Sequence, residues 1–249
     1  MNDNTTLSQK KEHHSTWVKW THWIISIAFV TLLFSGIEIL MVHPRLYWGE
    51  TGNDLTPALF ELPISRNYKH GGWEKPTAFF NDKASPVTAG RTYDIFNENG
   101  WGRSLHFLAA WFLVVTGLIY LFAGFLKRHF RRHIFLRSGE ISRHSFLTDL
   151  RNHLSMKIPA ATGGPQYSVL QKFSYVVVIF MLLPLIVFTG FTMSPAITAA
   201  YPFMLKIFGG VQSARTIHFF AFVLLFLFLF IHIFMVIRSG FRQKMRGMI

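Results

Sequence analysis

Two five-residue stretches of the chain are near copies, and each opens a long apolar segment with a histidine. They are Arg103-Ser104-Leu105-His106-Phe107 and Arg215-Thr216-Ile217-His218-Phe219. His22 and His232 lie in apolar stretches of the same kind. A polar, ionisable ring inside a membrane-spanning helix is costly unless something binds it. Neutral imidazole is a common axial ligand of haem iron, so four such histidines can serve two haems.

The elements that must position these rings are long apolar runs at about 17–41, 105–126, 169–193 and 217–237. Each reaches the length of about 20 residues that spans the hydrocarbon core as a helix. None shows the polar stripe at helical period that a soluble core helix carries. The 249 residues are 51% hydrophobic, include 27 Phe and are only 15% charged. The expectation is an all-α integral membrane four-helix bundle forming a single domain over 1–249. No cleavable signal peptide is evident: the first run is too long, holds His22 and lacks a small-residue cleavage site after it. It reads as a retained signal anchor.

The cysteine count is zero. Disulfides, thiolate-bound zinc, iron–sulfur clusters and covalently attached c-type haem are thereby excluded. Any redox centre must be held by histidine or methionine, or without a covalent link.

The net charge of +13 is distributed as topology rather than as a nucleic-acid footprint. The N-terminal tail through Lys19, the connection 127–172 and the tail from Arg238 carry 3, 9 and 4 basic residues against only Asp3, Glu12, Glu140 and Asp149. The connection 44–103 has 7 basic and 7 acidic residues. The positive-inside rule then places both termini and the loop 127–167 in the cytoplasm, with the loop 44–103 on the outer face. The multi-pass chain would sit in a bacterial inner membrane, its basic excess touching anionic lipid. No nucleic-acid partner is expected.

The chain reads as a duplicated helical hairpin. Besides the Arg-Ser/Thr-x-His-Phe match, Lys19-Trp20-Thr21-His22 aligns with Lys172-Phe173-Ser174-Tyr175, and Phe34-Ser35-Gly36 with Phe188-Thr189-Gly190. Tyr175 then stands where His22 stands, and the missing fourth ligand would come from His232. The outer loop, rich in Pro, Gly and aromatics, is too long for a turn and suits docking of a soluble redox partner. The inner loop opens with the basic run Lys127-Arg128-His129-Phe130-Arg131-Arg132 and should continue as a short amphipathic helix around 144–156.

Depth pairs the histidines. With inside termini, His22 and His232 fall near the inner face, and His106 and His218 near the outer face, at the starts of helices 2 and 4. His218 and His232 are 14 residues apart, about 21 Å along a helix and close to four whole turns, so both rings point to one side. Gly36, Gly117 and Gly190 sit mid-helix, where glycine costs about 1 kcal/mol relative to alanine. Close approach of a flat macrocycle or ordinary tight helix packing would each justify them. Arg103 and Arg215 suit haem propionates, or anchoring at the membrane edge. Glu38 pairs with an arginine or snorkels, or relays protons. A lone histidine at a helix start is ordinarily an interfacial residue; the joint pattern points to ligation. His13, His14, His43, His70, His129, His133, His144 and His153 lie in polar or outer segments.

These residues resemble a di-haem cytochrome b of the bacterial cytochrome b561, nickel-hydrogenase b-subunit and formate dehydrogenase gamma-subunit group. The stretches Tyr167-Ser168-Val169-Leu170-Gln171-Lys172, Thr189-Gly190 and Ser213-Ala214-Arg215-Thr216-Ile217-His218 are most similar to thiosulfate reductase cytochrome b subunits. The resemblance implies two non-covalent b haems on His22, His106, His218 and His232. It also implies quinone as substrate near the inner haem, with Gln171 and Tyr167 as candidate contacts beside their plainer roles in helix capping and interfacial anchoring. A periplasmic oxidoreductase subunit, molybdopterin-dependent in this group, would be the partner. The expected function is electron transfer between the quinone pool and that subunit. The rivals are a stand-alone transmembrane reductase and a histidine-dependent proton channel or transporter.

Overall fold

Four helices are long and apolar enough to cross a membrane: Thr16–Val42, Trp101–Leu126, Val169–Thr192 and Val211–Arg238. The computed structural model describes residues 15–53, 56–64, 99–136, 142–154 and 168–249. Large apolar side chains such as Trp20, Ile27, Trp111, Phe122 and Phe230 stand exposed along the spans, as they must where the surrounding solvent is hydrocarbon rather than water. The protein is an all-α membrane helix bundle.

In chain order the elements are α1 (Thr16–Val42), a short antiparallel pair of β1 (Arg45–Leu46) and β2 (Phe60–Glu61), and α2 (Asn99–Leu126). After a π-turn at Phe130–Ile134 come α3 (Arg143–Leu154) and α4 (Val169–Val177). A second π-turn at Val178–Leu182 leads into α5 (Leu183–Thr192). The chain closes with α6 (Pro195–Ala200), α7 (Phe203–Phe208), α8 (Val211–Arg238) and α9 (Phe241–Met248). Helix α1 packs antiparallel along α2, and α5 along α8. The expected amphipathic helix of the inner loop is α3, and its Asp149 carboxylate accepts from the Leu170 amide at 2.9 Å. A carboxylate at that position satisfies an orphan donor at the start of α4 and complements the helix dipole.

The second and fourth spans begin earlier than their apolar runs. Helix α2 starts at Asn99 and α8 at Val211, so His106 and His218 each lie seven residues inside a helix rather than at its start. For α8 the reason is visible. Its first turn is partly polar, and much of that polarity is met by the segment that follows α1. The Gly49 carbonyl accepts from the Gln212 and Ser213 amides at 3.0 and 3.3 Å, and the Gly49 amide donates to Ser213 Oγ at 2.7 Å. Thr216 donates to the Tyr47 carbonyl at 2.6 Å. With those groups satisfied the helix continues past the apolar run. Gly210, at φ 107°, meets the Gly49 backbone so closely that no side chain fits between them.

The third span is interrupted where the two halves of the chain differ in length. His22 and Gly36 are 14 residues apart, whereas Tyr175 and Gly190 are 15 apart (36 − 22 against 190 − 175). The extra residue is absorbed by the π-turn Val178–Leu182, whose closing bond runs from the Leu183 amide to Val178 O. A π-turn accommodates one added residue without ending the helix. Pro184 follows directly, where a proline ring would otherwise crowd the carbonyl four residues before it.

The start of α1, the residues that follow α2 and the C-terminal helix α9 lie at one end of the bundle. Trp23 donates to the Met248 carbonyl at 2.9 Å, and the Trp17 ring meets Tyr120 and His129 at 5.6 and 5.4 Å between centroids. The segment 44–53 and the N-terminus of α8 occupy the opposite end.

Candidate functional site

His106 is carried by α2 and faces Ser35 of α1; His218 is carried by α8 and faces Thr189 of α5. Ser35 Oγ lies 3.0 Å from His106 Nδ1, and Thr189 Oγ1 lies 3.0 Å from His218 Nδ1. Each hydroxyl has one proton, and each spends it on its own helix: Ser35 on the Thr31 carbonyl at 2.8 Å, Thr189 on the Leu185 carbonyl at 2.8 Å. Toward the imidazole each hydroxyl is therefore the acceptor. The hydroxyl accepts from Nδ1, so Nδ1 carries the proton and Nε2 keeps its lone pair. This is the tautomer a metal requires, oriented by the kind of outer hydrogen bond that usually steers ligating histidines.

The glycine after each hydroxyl belongs to the same device. A Cβ built on Gly36 would sit 3.5 Å from His106 Cε1, and one on Gly190 would sit 3.5 Å from His218 Cε1. The glycines thus leave the Nδ1–Cε1 edge of each ring uncrowded. Gly117 is different: nothing lies within 4 Å of its missing side chain.

The structure brings the four sequence-selected histidines together in two pairs. The centroids of His106 and His218 are 6.3 Å apart, and those of His22 and His232 are 6.4 Å apart. The second pair is braced by rings rather than hydroxyls: Trp23 packs edge-on to His22, and Phe228 stacks on His232 at 5.7 Å. Tyr175, the counterpart of His22 in the second half, meets Phe228 from the other side.

A haem fits this donor set. Two imidazole nitrogens each about 2 Å from one metal, with each ring centre about 1 Å further back, put the centroids about 6 Å apart. Among the described residues no three His, Asp or Glu side chains converge as a metal cage. Two opposed nitrogens suit a metal whose remaining positions a macrocycle fills.

The other sequence candidates fall into place less uniformly. Arg103 is exposed. The Arg215 guanidinium donates to the His43 carbonyl at the end of α1, tying α8 to α1. Gln171 is engaged in a reciprocal capping box with Ser168, which uses its carbonyl oxygen to accept from the Ser168 amide at 3.1 Å. Tyr167 lies outside the described residues. Glu38 is 1% exposed, and a Cβ on Gly102 would come within 3.0 Å of its Cγ; it is held inside the bundle instead of reaching toward solvent. Ser35 and Thr189 were visible in the sequence only as landmarks of the repeat. Their signal was the shared hydroxyl–glycine pair, one residue type repeated at one place in both halves.

An all-helical membrane bundle with opposed imidazole pairs and no cysteine defines a b-type membrane cytochrome, an electron-transfer protein that holds haem through side chains alone. The chain belongs to the prokaryotic cytochrome b561 family, whose model matches residues 13–249. Membership implies haem b and a bacterial membrane. Among curated relatives, the chain is 26% identical over 223 residues to a protein of Azospira oryzae provisionally named protein-methionine-sulfoxide reductase subunit YedZ1. That match covers 90% of this chain and 89% of the relative. No solved structure matches the chain.

Proposed function

We propose that the protein holds two b haems, one between His22 and His232 and one between His106 and His218, and carries electrons between membrane quinone and a periplasmic oxidoreductase subunit. The observation that carries this reading is the pair of opposed imidazole sets joined by α8, 14 residues apart on one helix (232 − 218), about 21 Å along its axis. Bound haem would supply one-electron chemistry. The chain's own contribution is to present four Nε2 lone pairs, to keep water from the rings and to fix the spacing.

The charge count favours a cytoplasmic location for the end that carries the start of α1, the turn after α2 and α9. The His22–His232 pair then lies nearer the cytoplasm, and quinone would react there. The amide group of Gln171 keeps two donors beyond its capping bond, and Tyr167 stands four residues before it in the sequence. The His106–His218 pair lies beside the segment 44–53, from which the neutral loop continues. That loop is the natural docking place for the partner; the resemblance implies a molybdopterin-dependent one, and a relative named as a reductase subunit supports an oxidoreductase assembly. On this reading Arg103 and the remaining donors of Arg215 would meet propionates at this end, and Gly117 would face a macrocycle.

A pyridine haemochrome assay on fully loaded protein should give two haems per chain. His106→Ala and His218→Ala should each leave one haem, with the same optical signature, and His22→Ala and His232→Ala should leave the other. Matching loss in His106→Ala and His22→Ala would overturn the pairing. Deletion of 61–92 should preserve both haem spectra and their reduction by quinol while stopping exchange with the partner; continued partner-linked turnover would remove the docking role.

A further inference from the structure

Immediately after the second span, three arginines surround one cavity. The last residue of α2 is Leu126, and the chain then reads Lys127-Arg128-His129-Phe130-Arg131-Arg132. Arg128, Arg131, Arg132, Phe135 and Leu136 line a cavity of about 600 Å³. The π-turn makes this convergence. Its bond from the Phe135 amide to the Phe130 carbonyl is 2.7 Å long, and this five-residue closure sets Phe135 and Leu136 beside Arg131 and Arg132, four and five positions earlier. Phe130 anchors the turn: it is 1% exposed, lies against Gly124 and meets Phe125 and Phe180 at 5.0 and 5.2 Å.

Two features mark the arginines as selected for the cavity. The neighbouring lysine is turned elsewhere, with Lys127 Nζ 5.3 Å from the centre of the Trp17 ring. And Arg128 has φ 53°, the one positive φ of a non-glycine residue among those described. Glycine or asparagine ordinarily occupies that region, since a Cβ crowds the backbone there. An arginine is kept where glycine would fold more easily. Three arginines lining one space repel one another, and among the described residues no acidic side chain lines the cavity to offset them. A phosphate diester offers the oxygens that arginine forks bind.

We infer that this cavity binds the phosphate headgroup of an anionic phospholipid. The commitment to lipid rests on position and on the apolar wall. The cavity opens at the end of a span whose last turns expose Phe122, Phe125 and Leu126, so it sits at headgroup depth, and Phe135 and Leu136 complete it beside the charges. Basic pockets at membrane surfaces are known to take such headgroups. The inference is independent of how many haems the chain holds.

The test is native mass spectrometry of the full-length, haem-loaded protein released from micelles containing phosphatidylglycerol, or containing phosphatidylcholine instead. Wild type should retain phosphatidylglycerol and release phosphatidylcholine. Arg131→Gln and Arg132→Gln, both on exposed side chains, should each weaken retention about fivefold, the worth of one cation near an anionic surface. Arg128→Gly should weaken it similarly while raising the melting temperature, because the backbone strain is relieved; a variant that gains stability and keeps full retention would show a strained turn without a site. Removing three times as much charge from α9, as Arg242→Gln with Lys244→Gln and Arg246→Gln, should leave retention unchanged. Equal loss in that variant, retention of phosphatidylcholine, or displacement of the lipid by an equal concentration of inorganic phosphate would overturn the assignment.

Discussion

Ser35 and His106 face each other across the first helical hairpin with 3.0 Å between Oγ and Nδ1, and Thr189 and His218 repeat that arrangement across the second at the same distance. One hydroxyl on the odd helix of each hairpin thus sets the tautomer of the ring on the even helix. The relationship is doubled, so its consequences should be doubled as well.

Ser35→Ala and Thr189→Val should each weaken haem retention at the His106–His218 pair by about tenfold, the lower end of what an outer hydrogen bond to a ligand is usually worth. Haem transfer to apomyoglobin, followed optically, gives the rates. The two variants should agree closely; a loss confined to one of them would contradict the equivalence of the two hairpins.

The glycines beside these rings set a size limit. A Cβ at Gly36 or Gly190 would meet the imidazole at 3.5 Å, which is ordinary contact, so Gly36→Ala and Gly190→Ala should keep the haem. A β-branched side chain adds a second carbon toward the ring and has few rotamers to avoid it. Gly36→Val and Gly190→Val should therefore lose haem from the His106–His218 pair while the other pair stays loaded. Soret absorbance per chain distinguishes these outcomes, and full loading in both valine variants would refute the limit.

The π-turn at Val178–Leu182 should be dispensable, because it absorbs a residue that the first hairpin lacks. Deleting Ile179 together with Pro184→Ala should give an uninterrupted helix with Thr189 still facing His218, and haem content should be unchanged. Deleting Phe29 from α1 should do the opposite, since removing a residue from a regular α-helix turns everything beyond it by about 100° and takes Ser35 away from His106. Equal haem loss in both deletions would show that the π-turn has a role of its own.

Gly210 can be tested by stability. Alanine there must adopt φ 107° and drive a carbon into the Gly49 carbonyl. Both effects oppose the seating of 44–53 on α8, and the cost should exceed about 1 kcal/mol. Thermal unfolding of the detergent-solubilised protein should report a lower midpoint for Gly210→Ala, with Gly240→Ala, whose surroundings are open, as the control for positive φ alone.

Much of this protein was legible in one dimension. Hydrocarbon imposes length and apolarity on every crossing segment, so four spans could be counted from composition alone. Depth follows from distance along a span, so His22 could be matched with His232 and His106 with His218 before any coordinates. What depth does not contain is rotation. Whether two rings at one level face each other depends on how the helices pack, and that was decided by contacts far apart in the chain: Ser35 with His106, Thr189 with His218, the Gly49 carbonyl with the first turn of α8. The helix starts at Asn99 and Val211 were hidden for the same reason, because polar residues extend a membrane helix only where a distant segment satisfies them. The arginine cavity was hidden as well. The sequence shows a basic run, and only the π-turn and the left-handed Arg128 bring three of its charges onto one face.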